Sequence, residues 1–320
     1  MTLDDLRKEM QIERGSESFD EIRNILWYLS KENTPLIVPS GKKPGQYKVI
    51  KYAQRVPVFS VPRERRPDFP LKFPKDRDTD IEIPIAGKVV VREGDLILIG
   101  GVSNWGKTTW SMNFLAENLE FEPILMGNEF TSMVEGEYKP TPRFLNRCDS
   151  IDWVSWVYDD NSDRFTLLPV FDDFAENIVK DKINIIDWIN IESGEHYLIG
   201  TILNGIKRAL GKGVAIVVLQ KGEGKDAARG GQFTKDFADL ELLIDRHSNT
   251  ESRITVGKCK ESTERLTGRS WSFQIRNNGS SICDVKEVSK CWKCAGTGHG
   301  KGGECADCEG KGWREVRGQL

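Results

Sequence analysis

Ten residues, Gly100-Gly-Val-Ser-Asn-Trp-Gly-Lys-Thr-Thr109, constrain the fold of this 320-residue chain more than any other stretch. A short apolar run, Asp95-Leu-Ile-Leu-Ile-Gly100, precedes them, and Met112, Leu115, Ala116 and Leu119 repeat at helical spacing behind them. The order is strand, glycine loop, helix. Gly101-x-x-x-x-Gly106-Lys107-Thr108 fits a phosphate-binding loop in which the glycines let several backbone N–H groups turn toward one phosphate. The N-terminus of the helix adds the positive end of its dipole. Lys107 is of a length to reach β- and γ-phosphates, and the Thr108 hydroxyl suits magnesium. Gly101, Val102, Ser103, Asn104, Trp105, Gly106, Lys107, Thr108 and Thr109 are therefore the expected binding residues for a nucleoside triphosphate, ATP with magnesium.

The length allows one large domain with smaller attachments. No apolar stretch approaches the roughly 20 residues that span a bilayer, and the first residues do not read as a signal peptide. A formal net charge of −3 excludes a uniformly basic protein, so contacts with nucleic acid must come from local patches. Seven cysteines without an export signal point to the reducing cytoplasm.

Four segments follow from pattern. Residues 1–52 read as a small module: a capping box Ser18-Phe-Asp-Glu21, then Ile22, Ile25, Leu26 and Leu29 at helical spacing, then a hairpin from Leu36-Ile-Val38 and Gln46-Tyr-Lys-Val-Ile50. Helices followed by a hairpin with Lys42 and Lys43 at its tip resemble a winged helix. Between Lys31 and Arg66 nine basic residues face two acids, which suits DNA, although winged helices also dock proteins. Residues 53–86, with six prolines between Pro57 and Pro84, read as an extended linker. Residues 87–288 alternate apolar strands with helical stretches, which predicts an α/β core with a mostly parallel sheet flanked by helices. Its candidate strands are 96–99, 124–126, 183–186, 214–219, 240–244, 254–256 and 271–275. A helix with Ile199, Ile202, Leu203 and Ile206 on one face ends near Gly211 and Gly213. Residues 289–320, rich in Gly and Cys, lack the aliphatics for a core and need a staple.

Three polar residues fall at the ends of predicted strands after the loop. Asp187 closes Ile183-Asn-Ile-Ile186, where an acid can hold phosphate-bound magnesium. Glu129 follows Ile124–Met126 and is placed to act as general base on the attacking water. Gln220 ends Val214–Leu219 and can sense the γ-phosphate. With Lys107 they share the edge where open α/β sheets bind ligands.

This order resembles the RecA-like ATPases, and among them the DnaB-type replicative helicase core, over residues 87–288. The resemblance assigns Glu129 as catalytic glutamate, Asp187 as magnesium ligand and Gln220 as sensor. Lys221 to Lys235 then falls where the family places a DNA-contacting loop, with Lys225, Arg229 and Lys235 as its cations. Ala238-Asp239 also matches. Lys258-Cys-Lys260 stands where the family usually has Lys-x-Arg, the finger that completes a neighbour's site, with Arg265 or Arg269 as alternates. The helical collar of such helicases is replaced by the N-terminal module, a plan that looks like ATPases of bacteriophages. The implied activity is ATP hydrolysis coupled to single-stranded or forked DNA in a homo-oligomeric ring or filament. A RecA-type recombinase or mediator, or a loader ATPase docking replication or recombination proteins, would share these motifs.

Cys291-x-x-Cys294-x-Gly-x-Gly298 and Cys305-x-x-Cys308-x-Gly-x-Gly312 form two knuckles whose four thiolates suit a closed, structural zinc site. The repeat resembles half of the zinc domain of DnaJ-type chaperones. His299, between the knuckles, is surplus to a completed site.

Overall fold

The computed structural model describes residues 2–32, 35–40, 45–50, 53, 59, 68–127, 129–190, 198–222, 225–300 and 302–316. The chain divides into two compact units, Met1–Arg65 and Arg66–Leu320.

The first unit contains α1 (Leu3–Glu9), α2 (Glu17–Leu29) and an antiparallel pair, β1 (Ile37–Pro39) and β2 (Tyr47–Val49). Helices followed by a hairpin is thus the observed local order. The α2 start differs from expectation. Ser16 caps the helix by accepting from the Phe19 N–H, so Ser18 lies inside it; the capping box belongs to α1, through Thr2 and Asp5. Along α2 only Leu26 is fully buried, and Ile25 points to solvent. Lys42 and Lys43 lie outside the described residues.

The second unit opens with a short hairpin, β3 (Lys75–Asp76) and β4 (Ile81–Glu82). Then come β5 (Leu96–Gly101), α3 (Lys107–Glu117), β6 (Ile124–Met126), a hairpin of β7 (Thr131–Val134) and β8 (Glu137–Pro140), α4 (Pro142–Asp149) and β9 (Thr166–Leu168). β10 (Ile183–Ile186), α5 (Ile199–Ala209), β11 (Val214–Gln220), α6 (Gln232–Phe237) and β12 (Leu240–Arg246) follow. The chain closes with β13 (Glu251–Cys259), β14 (Ser270–Arg276), β15 (Ser281–Lys290), a small hairpin of β16 (His299–Gly300) and β17 (Gly303–Glu304), and β18 (Trp313–Glu315).

One ten-stranded sheet, in the order β18-β15-β14-β13-β12-β5-β11-β10-β6-β9, organises the unit. From β12 to β9 every neighbouring pair is parallel, and the other pairs are antiparallel. This is the α/β sheet flanked by helices expected from the sequence, with β5, the strand before the glycine loop, near its centre. β5 is buried on both faces, which is why its sequence reads as an unbroken apolar run. Ile97 and Ile99 join the cluster under α3, with Trp110 and Phe114, while Leu96 and Leu98 join the cluster under α5, with Leu203 and Ile206. α5 stops at Leu210 because Gly211 takes a left-handed conformation, and a side chain there would strike Asp181 and Lys180.

Two boundaries differ from the expected ones. Residues 68–86 are no free linker: Leu71, Phe73, Ile83 and Ile85 are buried in the α3-side cluster, and Phe73 meets Phe114 edge-on at 5.4 Å. Asn118 brackets the Lys72 backbone, accepting from its N–H at 2.9 Å and donating to its carbonyl at 2.8 Å. At the other end β15 runs to Lys290 and pairs with β18, so the cysteine segment is stitched onto the sheet edge. No helix among the described residues is long and apolar enough to cross a membrane.

Candidate nucleotide and zinc sites

The loop between β5 and α3 requires its glycines. Gly106 has φ +101°, and a Cβ there would stand 2.6 Å from Ile275 Cδ1. A Cβ on Gly101 would come within 2.7 Å of Lys107 Cγ. Lys107 is buried, with its Nζ donating to the Val102 carbonyl at 3.0 Å. Burial lowers its pKa, opposed by the negative charges of Asp187 and Glu129.

Asp187 lies beyond the end of β10, one strand away from β5 with β11 between them. It is buried, and its Oδ2 accepts from the Ser111 hydroxyl at 2.6 Å, while Oδ1 has no hydrogen-bond partner. Burial raises its pKa; the Ser111 and Thr108 hydroxyls and the Lys107 charge pull the other way. An orphaned buried carboxylate oxygen beside the Thr108 hydroxyl fits a hard divalent cation such as magnesium. Glu129 is exposed, and its Oε1 accepts from the Trp188 indole N–H at 3.4 Å. Gln220 Nε2 donates to Ser103 Oγ at 2.5 Å, so the end of β11 touches the glycine loop. Lys107, Asp187, Glu129 and Gln220 are therefore brought together at one edge of the sheet.

A cavity of about 310 Å³ lies over the loop, lined by Lys107, Thr108, Glu129, Arg143, Arg147 and Gly279 among others. Sequence reasoning missed several participants. Ser111 was legible in principle, since it follows Thr108 by three residues and so shares its helix face. Trp188, next to Asp187, was part of the strand-end motif but had no role of its own, and the arginines of α4 carried no motif. Nor did the β14–β15 turn, which lies along the first turn of α3: the Gly279 carbonyl accepts from Thr109 Oγ1 at 2.7 Å, and that of Ser280 from Asn113 at 2.6 Å.

Lys258 and Lys260 are not brought to this cavity. β13 runs antiparallel to β12, so its carboxyl end lies at the sheet edge opposite the phosphate loop. There Lys258 donates to the carbonyls of Lys235 and Asp236, and Lys260 pairs with Asp239 at 2.6 Å. Asp239 also binds Lys207 and the Leu96 N–H, contacts that outweigh burial and hold its carboxyl below the usual range. Of the alternates, Arg269 is committed to Glu264 and Glu287.

The expected DNA loop is anchored at the phosphate loop. The Lys221 N–H donates to the Gly101 carbonyl, and Ala228 packs so closely that a Cβ on Gly100 would stand 2.9 Å from its own. The three expected cations do not share one spot. Arg229 is near enough to lower the Lys107 pKa, Lys225 is exposed, and Lys235 sits on α6 with its charge felt by Glu241.

The four cysteine sulfurs lie within 4.8 Å of one another, all buried. Cys291 and Cys305 are 3.9 Å apart, and Cys294 and Cys308 are 3.6 Å apart. A tetrahedron of thiolates about 2.3 Å from zinc has edges of about 3.8 Å, so the set fits the ion. Burial works against the Cys294 thiolate, but backbone N–H groups of Gly298 and Gly296 draw its pKa down to about 6. Burial pushes Cys308 up to about 12, although the Gly312 N–H points at its sulfur from 3.2 Å. His299 is exposed on β16 and outside the set.

No family model matches the sequence, and no curated protein is similar to it at the sequence level. Among solved structures, the chain is similar to a KaiC-like protein from the hyperthermophilic archaeon Pyrococcus horikoshii OT3, with a TM-score of 0.47 and 19% identity over 68% of this chain and 99% of that one.

Proposed function

We propose that this chain is a magnesium-dependent P-loop ATPase of the RecA/DnaB type that acts on single-stranded or forked DNA, in the manner of a phage replicative helicase. The reading is carried by one arrangement at the carboxyl edge of the parallel strands: Lys107, Thr108 and Glu129 line the cavity, Asp187 lies close enough to Lys107 for its charge to be felt there, and Gln220 is bonded to Ser103 of the loop.

In that mechanism the loop N–H groups and the dipole of α3 bind the phosphates, and Lys107 leaves the Val102 carbonyl to reach them. Thr108 and Asp187 would hold magnesium, which supplies charge neutralisation at the β- and γ-oxygens. Glu129, steadied by Trp188, takes a proton from water as the water oxygen bonds to the γ-phosphorus. The bond from that phosphorus to the bridging oxygen breaks, and its electron pair leaves on ADP. Gln220, through Ser103, meets the γ-phosphate and links its presence to the loop beginning at Lys221.

The position of Lys258 and Lys260 suits a finger offered to a neighbouring subunit, hence a ring or filament. Lys225, Arg229 and Lys235 supply cations for a single strand, with Lys42 and Lys43 as a second contact if the N-terminal module binds DNA rather than a replication or recombination protein. Such a motor works in the cytoplasm. Phosphate release with and without single-stranded DNA tests the DNA dependence; absence of stimulation would favour the loader reading. Unwinding of a forked duplex separates the helicase from a recombinase.

A further inference from the structure

We infer that Arg143 and Arg147 of α4 contact the phosphates of the bound nucleotide from within the same chain, supplying the bidentate cations that the Lys258-x-Lys260 finger lacks. The inference rests on the ATPase reading and adds two catalytic residues to it.

Both arginines line the phosphate-loop cavity together with Lys107, Thr108 and Glu129. They are four residues apart, hence one above the other on a helix face. Among the described residues neither guanidinium is paired with an acid, whereas Arg77, Arg269 and Arg276 each hold one or more. Unpaired arginines sharing a cavity with a buried lysine, which itself lies close to the orphaned carboxylate of Asp187, describe a site whose charges are satisfied by an anion with its cation.

The helix that carries them is fixed to the site at both ends. At its start Thr141 caps α4, and the same hydroxyl donates to the Glu129 carbonyl at 3.1 Å, while the Thr141 N–H binds the Phe130 carbonyl. At its end the Ser150 carbonyl accepts from Ser280 Oγ at 3.0 Å, in the turn whose Gly279 carbonyl binds Thr109. A Cβ on Gly279 would lie 3.6 Å from the Arg147 guanidinium, which places that group beside the first turn of α3. Phe144 and Cys148, each next in sequence to one of the arginines, are buried against the core. The arginines are thus held on the rim of the cavity by a helix with little freedom to withdraw, the preorganisation that charge stabilisation requires. In the hydrolytic step above, charge accumulates on the γ-phosphoryl oxygens and on the leaving ADP. A guanidinium fork meets two such oxygens at once, which an ammonium does not.

The test is phosphate release by the full-length protein. Arg143→Gln/Arg147→Gln should lose on the order of 100-fold or more in kcat, the usual result of removing a charge-stabilising donor. Unchanged circular dichroism would show that the fold is intact, and Arg147→Lys should recover only part of the loss. Wild-type turnover that falls less than about threefold in the double variant, while Lys107→Ala abolishes it, overturns the inference and leaves the ATPase reading standing. Absence of wild-type turnover would instead refute the ATPase reading. Mixing the double variant with co-assembling Lys107→Ala protein distinguishes cis from trans. Action in cis predicts no recovery, because every site lacks one group; recovered activity would overturn it.

Discussion

Replacing Asp187 by Asn should move stability and activity in opposite directions. The carboxylate is fully buried, and its one hydrogen bond, from Ser111, leaves Oδ1 unpartnered. Its pKa is raised by burial even with Lys107 and two hydroxyls acting against that, so in the nucleotide-free fold the net environment disfavours the charge. Asn keeps the volume and the acceptor for Ser111 while removing the charge. The gain comes from removing a buried charge and is offset by an amide N–H left at the unpartnered position, so it should be about 1 kcal/mol. For a unit of this size each kcal/mol is worth about 2–4 °C in Tm, readable by calorimetry. With magnesium and a non-hydrolysable ATP analogue at 100 times Kd, wild type should gain about 2.7 kcal/mol by mass action. The Asn variant, without its metal ligand, should gain far less, so the two melting curves exchange order. Turnover should fall on the order of 100-fold or more. An Asn variant that melts below wild type without ligand, and is stabilised as strongly by the analogue, would refute the assignment of Asp187 as a strained magnesium ligand.

Chelating the zinc should free β18 from β15 and separate Trp313 from Arg253, now 3.9 Å from its ring centroid. Hydrogen exchange at Trp313–Glu315 should accelerate while basal phosphate release persists, and metal analysis should give about one zinc per chain. Loss of basal turnover with the rest of the core still protected would make the zinc segment part of the catalytic body. Asp95 is raised from 3.8 to about 6 by burial, so the folded chain binds a proton there that the unfolded chain does not. Its contribution is intact below pH 4 and is lost as pH rises through 6. Asp95→Asn should therefore be about 1 kcal/mol more stable at pH 8, discounted for partial exposure, with no gain at pH 4, by denaturant titration. A mixture of Lys258→Ala/Lys260→Ala and Lys107→Ala proteins should recover part of the hydrolysis through hybrid interfaces; no recovery with proven co-assembly would count against a shared site.

The central strands were legible because strands buried on both faces need continuous Val, Ile and Leu, and β5, β10 and β11 are written that way. The same rule hid β15 and β18, which lie toward or at an edge and carry Asp, Lys, Glu and Arg. Residues 68–86 were misread because their prolines dominate the reading. Beneath them Phe69, Leu71 and Phe73, then Ile81, Ile83 and Ile85, alternate with the period of two that marks one-sided burial, although Ile81 is exposed. In the site, the motif positions themselves were found, whereas Arg143 and Arg147 were not. A hairpin intervenes between Glu129 and α4, and the Thr141 contacts, with Phe144 packed on Phe130, fold that helix back onto the glutamate. Lys258 and Lys260 could be named from the resemblance, but their distance from the chain's own cavity depends on the antiparallel turn into β13, which spacing does not encode.

Release of inorganic phosphate from ATP by wild type, Lys107→Ala and Glu129→Gln, with nucleotide binding followed in parallel, tests the central claim most directly. Wild type should turn over only with magnesium, and Lys107→Ala should be inactive. Glu129→Gln should bind ATP yet cleave it on the order of 100-fold or more slowly, because the phosphate cradle is intact and the base is gone. Normal hydrolysis by Glu129→Gln, or turnover that survives Lys107→Ala, would contradict the account.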